Sequence, residues 1–170
     1  MQKLEVFMDI TCPYCLRGYN DLMKTLPKHS NAQLDWRIVE AHPKNEEPEH
    51  RPYVDIAVQS ALMVKELGLD ECRYVGLLFN AVFEERANIE DINVLISNAE
   101  KIGADSTAMR AALAERRYAD AGLAANDYAF EQKGVWAVPT FVCGDKRLDA
   151  AEGIGVTEVQ IDKLLSDCFE

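Results

Sequence analysis

A chain of 170 residues, 48% of them hydrophobic, is long enough for one domain with a buried core or for one domain carrying an insertion. Its net charge of −11 repels phosphate backbones and anionic lipid, so neither nucleic acid nor a membrane surface is expected as a partner. No run approaches the ~18 apolar residues of a membrane span, and the charged start, Met1-Gln2-Lys3-Leu4-Glu5-Val6, lacks the apolar region of a signal peptide.

The expected compartment is therefore the cytoplasm, where five cysteines are thiols rather than a disulfide framework. The first predicted element is a buried strand over about residues 3–10. It runs into Cys12-Pro13-Tyr14-Cys15, which opens a helix from Pro13 to about Leu26. Pro13 falls at the first helical turn, where its missing N–H costs nothing. Cys12 then stands at the positive end of the helix dipole beside unpaired N–H groups, and its pKa should fall below the free value of ~8.5. Cys15, one turn on, should point inward. A Cys-x-x-Cys pair at a strand-to-helix junction is the layout of a dithiol redox site, with Cys12 as exposed attacking thiolate and Cys15 as sheltered resolving thiol. The spacing alone arises by chance in about one chain in ten with this many cysteines, so the strand, the proline and the helix carry the reading.

A second strand is expected over 33–41, parallel to the first. Residues 42–52 form a polar loop with three prolines; His42 and His50 lie here without a third ligand at metal spacing, so the loop is read as solvated. His29 follows the first helix and is also read as solvated. From Tyr53 to Lys133 the pattern is helical throughout: Val54–Leu67 ended by Gly68, then helices capped by Asp70, Asp91 and Asp105, then a long helix through Leu123, Tyr128 and Phe130 to Gly134. The apolar stripes on these helices are read as core packing. Val138-Pro139-Thr140-Phe141-Val142-Cys143 reads as a strand, Gly144-Asp145-Lys146 as a hairpin turn and Arg147-Leu148-Asp149 as a return strand. A helix follows over about 157–168, with Thr157 as its N-cap. Cys72, Cys143 and Cys168 are read as packing residues, with Cys143 placed on a strand beside the active site.

This order, with Cys-x-x-Cys after the first strand and Val138-Pro139-Thr140 before the third, resembles the thioredoxin fold. The helical block before the hairpin resembles the DsbA family in particular. Met8-Asp9-Ile10-Thr11-Cys12-Pro13-Tyr14-Cys15 and Gly134-Val135-Trp136-Ala137-Val138-Pro139-Thr140-Phe141-Val142 are similar to stretches of its cytoplasmic FrnE-like branch. The resemblance implies an α/β chain in which 1–52 and 134–170 form the thioredoxin-fold domain and 53–133 an inserted helical domain. It also implies a cis-proline at Pro139 facing the dithiol, and substrate contacts from Pro13, Tyr14, Val138, Pro139 and Thr140. Three positions depart from the family. Ala137 stands in place of the usual glycine and Trp136 is bulky, so the groove beside Pro139 should be narrower. The Pro13-Tyr14 dipeptide is the glutaredoxin pairing, which bars carrying a redox potential over from relatives. Val6 occupies the position where many relatives carry a buried acid, and Glu5 should lie on the opposite face of the strand.

The implied function is a thiol–disulfide oxidoreductase acting on a disulfide-containing protein or a small thiol substrate, reset by a recycling partner. Reduction or isomerisation is favoured over net oxidation in a reducing compartment. No cofactor is expected beyond the redox-active disulfide, with glutathione as a candidate co-substrate; monomer and homodimer are both open. Two rivals remain. One is a glutathione-dependent transferase or isomerase of the kappa and hydroxychromene-carboxylate type, whose members carry serine where this chain has Cys12. The other is a non-enzymatic module holding zinc or an iron–sulfur cluster on the two cysteines, which needs ligands this chain does not space correctly.

Overall fold

The computed structural model of the chain describes residues 2–41 and 52–169. The polar loop read over 42–52, with His42 and His50, lies outside the described residues except for Pro52. Strand β1 (Leu4–Met8) leads into helix α1 (Pro13–Thr25). Cys12 is the extended N-cap residue and Pro13 opens the first turn, as the sequence requires of a proline. Strand β2 (Leu34–Ile38) pairs parallel to β1 in register from Leu4↔Leu34 to Met8↔Ile38. Both strands are shorter than their apolar runs suggest, because the chain turns away beyond Met8 and Ile38.

Five helices follow: α2 (Asp55–Glu66), α3 (Glu71–Phe83), α4 (Ile92–Glu100), α5 (Ser106–Ala114) and α6 (Ala119–Asp127). The aspartate caps form as expected: the carboxylates of Asp70, Asp91 and Asp105 accept from the backbone N–H of Arg73, Asn93 and Ala108. Gly68 ends α2 at φ +66, a conformation open to glycine without steric cost. The expected long last helix does not run through uniformly. After Asp127 it widens into a π-helical turn, Tyr128–Gln132. The Tyr128 hydroxyl donates to Glu5 at 2.5 Å, its ring lies under the Arg37 guanidinium, and Ala129 is buried against the sheet. These sheet contacts replace the regular helical ladder there.

Strand β3 (Thr140–Cys143) pairs antiparallel to β1, and β4 (Lys146–Asp149) antiparallel to β3, giving the sheet order β2-β1-β3-β4. The final helix, α7 (Glu158–Phe169), is capped by the Thr157 hydroxyl, which accepts from Gln160 N–H, while the Gln160 side chain accepts from Thr157 N–H.

The alternation of β1 sorts the core. Leu4, Val6 and Met8 enter a large buried cluster that also takes in α1, α7 and apolar residues of α2 to α5. Phe7 points the other way, into a smaller cluster with Val39, Ala129, Val135 and Val142. Glu5 shares that second face, where it meets Lys133 at 2.9 Å and Arg37 at 3.5 Å. His29, read as solvated, is buried, because α7 folds back over the end of α1 and sets Asp162 2.9 Å from His29 Nε2. Among the described residues no helix is long and apolar enough to cross a membrane.

Tyr19 makes a close contact between α1 and the helical segment, and Met23 Sδ makes another with Cys72 Sγ at 3.3 Å. Tyr19 packs its ring against Trp36 and Phe79 and donates its hydroxyl to the Cys72 carbonyl at 3.1 Å. Gly76 makes room for it: a Cβ there would sit 2.2 Å from the Tyr19 oxygen. Gly76→Ala gains about 1 kcal/mol of helix propensity but overpacks a dense contact, which costs typically 1–3 kcal/mol, and displaces a buried hydrogen bond. The expected outcome is net destabilisation, read as a lower urea midpoint that Tyr19→Phe partly restores.

Candidate functional site

The site forms where the C-terminal end of β1, the first turn of α1 and the loop before β3 converge. Cys12 Sγ lies 3.9 Å from the Val138 carbonyl oxygen, and the Val138–Pro139 peptide bond is cis. The two segments approach closely because of Gly18. A Cβ at that position would come within 2.9 Å of the Pro139 ring, so α1 can rest on Pro139 only through a residue without one.

The Cys12 thiol is drawn down from its ordinary value of 9.0 to about 7. The largest cause is a hydrogen bond from the Cys15 thiol; the backbone N–H groups of Cys15 and Tyr14 add to it, against burial and the negative charge of Asp9. Cys15 moves the opposite way, raised by complete burial and by the Cys12 sulfur beside it. Two thiols one helical turn apart thus differ in acidity, one suited to attack and the other to hold its proton. Cys12 is less open than an attacking thiolate was expected to be: it is 6% exposed, while Pro13 and Tyr14 beside it are exposed. Cys12 lines a cleft of about 410 Å³ with Tyr14, Phe130, Val135, Trp136 and Val138. Trp136 stands at the mouth, 70% exposed.

Of the other residues singled out in the sequence, Pro13, Tyr14 and Val138 line the cleft with Cys12. Pro139 packs behind them on α1. Thr140, expected at the substrate, is instead fully buried, its hydroxyl 2.8 Å from the Ala137 carbonyl and 2.9 Å from the Asp149 carboxylate. It holds the loop from beneath rather than lining the cleft. The strand of Cys143 does adjoin the site, since β3 begins directly after Pro139, and Cys143 itself lies at its far end. Glu5, excluded by the strand's alternation, is occupied by Tyr128, Lys133 and Arg37 on the other face.

One residue of the quoted cysteine stretch had no role assigned from the sequence. Asp9 is completely buried. One carboxylate oxygen accepts from the Thr11 N–H at 2.8 Å and the Thr11 hydroxyl at 2.7 Å; the other accepts from Ala41 N–H at 2.9 Å. Asp9 therefore ties together the end of β1, the turn into Cys12 and the segment after β2. Its signal was an acid ending an otherwise apolar run just before the cysteines; without tertiary contacts it is indistinguishable from a surface turn residue. Arg17, Tyr14 and Gly155 close the other side. Arg17 stacks 5.3 Å from the Tyr14 ring and donates to the Ile154 carbonyl, and a Cβ on Gly155 would press on Tyr14 at 3.1 Å. Among the described residues no group of three or more His, Cys, Asp and Glu side chains is placed to hold a metal ion.

Residues 57–162 match the family described as a DSBA-like thioredoxin domain, a span that begins inside α2, after the two cysteines, and covers α3 to α6, β3, β4 and the first part of α7. The uncharacterized protein YwbO of Bacillus subtilis (strain 168) is 27% identical over 193 aligned positions, which cover 93% of this chain and 94% of that protein. Among solved structures, the probable DsbA oxidoreductase SCO1869 of Streptomyces coelicolor superposes with a TM-score of 0.82 at 18% identity, over 99% of this chain and 90% of its own. The cytosolic disulfide reductase DsbM of Pseudomonas aeruginosa, solved with GSH, does so with a TM-score of 0.70 at 14% identity, over 97% and 98%. At such identities the structural likeness speaks for the fold.

The rate of Cys12 alkylation by iodoacetamide should reach its plateau above pH 7 and fall about tenfold per unit below it. Because the folded value lies below the unfolded one, ionisation stabilises the reduced fold fully above about pH 9 and this contribution is lost as pH falls through about 7. Cys15→Ala removes the largest cause and should move the midpoint up. Asp9→Asn should move it down, since a negative charge is removed, while leaving one buried N–H facing an amide N–H, a loss of about 1–3 kcal/mol readable in the urea midpoint.

Proposed function

The chain belongs to the DSBA-like thioredoxin domain family, and from that premise we propose that it is a thiol–disulfide oxidoreductase working through Cys12 and Cys15. The observation that supports this most is the pair itself: Cys12 at the N-cap of α1 lines a cleft beside the cis Val138–Pro139 bond, with the buried Cys15 one turn on, and the Cys12 thiol is lowered to about 7 while Cys15 is raised. In the reducing direction the Cys12 thiolate attacks one sulfur of a substrate disulfide. A Cys12–substrate disulfide forms, and the other substrate sulfur leaves as a thiolate that takes up a proton. Cys15 then gives up its proton, attacks the Cys12 sulfur and expels the second substrate sulfur. The substrate disulfide gains two electrons and the dithiol loses two; a second thiol donor must restore it.

The cleft bears on the substrate. Tyr14, Phe130, Val135 and Trp136 offer apolar contact on the side of Cys12. The Val138 backbone at the cleft wall suits an extended peptide carrying a disulfide, aligned as an added strand. Glutathione is a second substrate of matching chemistry, supported by the DsbM structure solved with GSH. Pro13, Tyr14 and Val138 are the residues assigned to substrate contact; Pro139 and Thr140 hold the wall in place. A thiol pKa near 7 resembles that of thioredoxin, ~7, rather than that of DsbA, ~3.5. A less stabilised thiolate makes a weaker oxidant, which favours reduction or isomerisation in a reducing, cytoplasmic setting.

The test is equilibration of the purified protein against glutathione redox buffers, with the thiol state read by alkylation and mass. The expected result is a two-electron couple closer to thioredoxin's potential of about −270 mV than to DsbA's of about −120 mV. Cys12→Ser should abolish it, and Cys15→Ala should trap a mixed disulfide on Cys12. If Cys12 and Cys15 form no disulfide under any buffer, the reading fails. Glutathione conjugation of an electrophile that survives Cys15→Ala would point to the transferase class instead.

A further inference from the structure

One wall of the cleft is the connecting segment 133–139, which leads from the π turn into β3 and brings Val135, Trp136 and Val138 to the side of Cys12. Both of its ends are held by one pair of side chains on β4. The Arg147 guanidinium donates through one terminal nitrogen to the Lys133 carbonyl at 2.5 Å and through the other to the Gly134 carbonyl at 2.9 Å. Its Nε–H donates to both oxygens of the Asp149 carboxylate, at 2.8 and 2.9 Å. Asp149 lies 2.9 Å from the hydroxyl of Thr140, the first residue of β3, and that hydroxyl also faces the Ala137 carbonyl at 2.8 Å. Arg147 and Asp149 stand two residues apart on β4 and so share a face, with Val142 and Thr140 as their partners in register. Lys133 is tied a second time, by its ammonium to Glu5 of β1 at 2.9 Å.

We propose that Arg147 is a positioning residue for substrate. It joins the start of the wall to β4 and, through Asp149 and Thr140, to the wall's own end. Trp136 and the Val138 backbone are thereby held ready for an extended peptide that carries a disulfide. This deepens the disulfide exchange proposed above and rests on it. The fork of the guanidinium is what the task needs: two carbonyls and a carboxylate are met at once by donors fixed in one plane. A lysine ammonium at the same position would be a single point charge.

Arg147 acts through the wall and is not a catalytic residue. A wall that must order itself around each substrate costs affinity, and one ordered beforehand does not. The benefit depends on how much of the wall a substrate uses. A peptide lying along Val138 and Trp136 uses all of it, whereas a small disulfide that brings little more than its two sulfurs to Cys12 uses almost none. The Cys12 thiol itself takes its acidity from Cys15 and the first turn of α1, on the other side of the cleft. The clamp therefore bears on peptide affinity and not on the reactivity of the sulfur. Arg147 and Asp149 are partly exposed on an edge strand, where an ion pair adds little to stability, so the pair can be broken without unfolding the chain.

The test compares Arg147→Met and Arg147→Lys in the full chain, with dithiothreitol restoring the dithiol after each turnover. Arg147→Met should raise KM about tenfold for an extended peptide carrying a disulfide, with kcat little changed. The rate with 2-hydroxyethyl disulfide should fall by no more than about twofold. Arg147→Lys should behave as Arg147→Met does, since one ammonium cannot span the two carbonyls and Asp149. The midpoint of Cys12 alkylation should stay near 7 in both variants. A second readout needs no turnover: in a Trp36→Phe background, the fluorescence anisotropy of Trp136 should drop in both. An unchanged peptide KM or an unchanged anisotropy in Arg147→Met would overturn the proposal. So would wild-type behaviour in Arg147→Lys, or equal losses on the peptide and on 2-hydroxyethyl disulfide. A wild-type protein that exchanges no disulfide would sink the proposed activity, while the anisotropy would still decide whether Arg147 holds the wall.

Discussion

The site depends on the mutual influence of two thiols held a helical turn apart where water is largely excluded. In the open that influence would be weak and the two thiols would titrate alike. Buried at the start of α1, the pair cannot carry two charges, and it settles with the charge on the member nearer the cleft. The wholly buried member keeps its proton and donates it toward the other. Cys15 therefore shapes the chemistry of Cys12 before it takes part in any exchange.

Three contacts hold the cysteine turn in place. The Asp9 carboxylate fixes the turn from below, using both oxygens on three donors. Gly18 lets α1 rest on the Pro139 ring, setting the distance between Cys12 and the Val138 carbonyl. Thr140 secures the loop behind Pro139 through the Ala137 carbonyl and Asp149. The helical segment adds a fourth support through Tyr19 and Gly76. Each of these contacts is a close packing or a buried polar bond, so small changes in volume or charge there are felt at the thiol.

The fold was largely legible because its signals are local. Alternation in β1, the proline at the head of α1 and the aspartate caps at Asp70, Asp91 and Asp105 are properties of adjacent residues, and each appears where its chemistry demands. The cysteine pair and Val138-Pro139 were legible for the same reason. His29, Thr140 and the π turn at Tyr128–Gln132 were not, since each owes its place to a partner more than seven residues away or to burial beneath another element.

What the sequence determined by itself was the order of elements, the parallel pairing of β1 with β2 and the placing of a dithiol at a helix N-terminus, all of which follow from propensity and spacing along the chain. Only the tertiary structure decided that Cys12 is buried and that Asp9 is buried with both carboxylate oxygens on backbone and side-chain donors. Those facts turn on which residues far apart in the chain are pressed into one low-dielectric interior. Burial and charge proximity are properties of that interior and have no one-dimensional pattern to betray them.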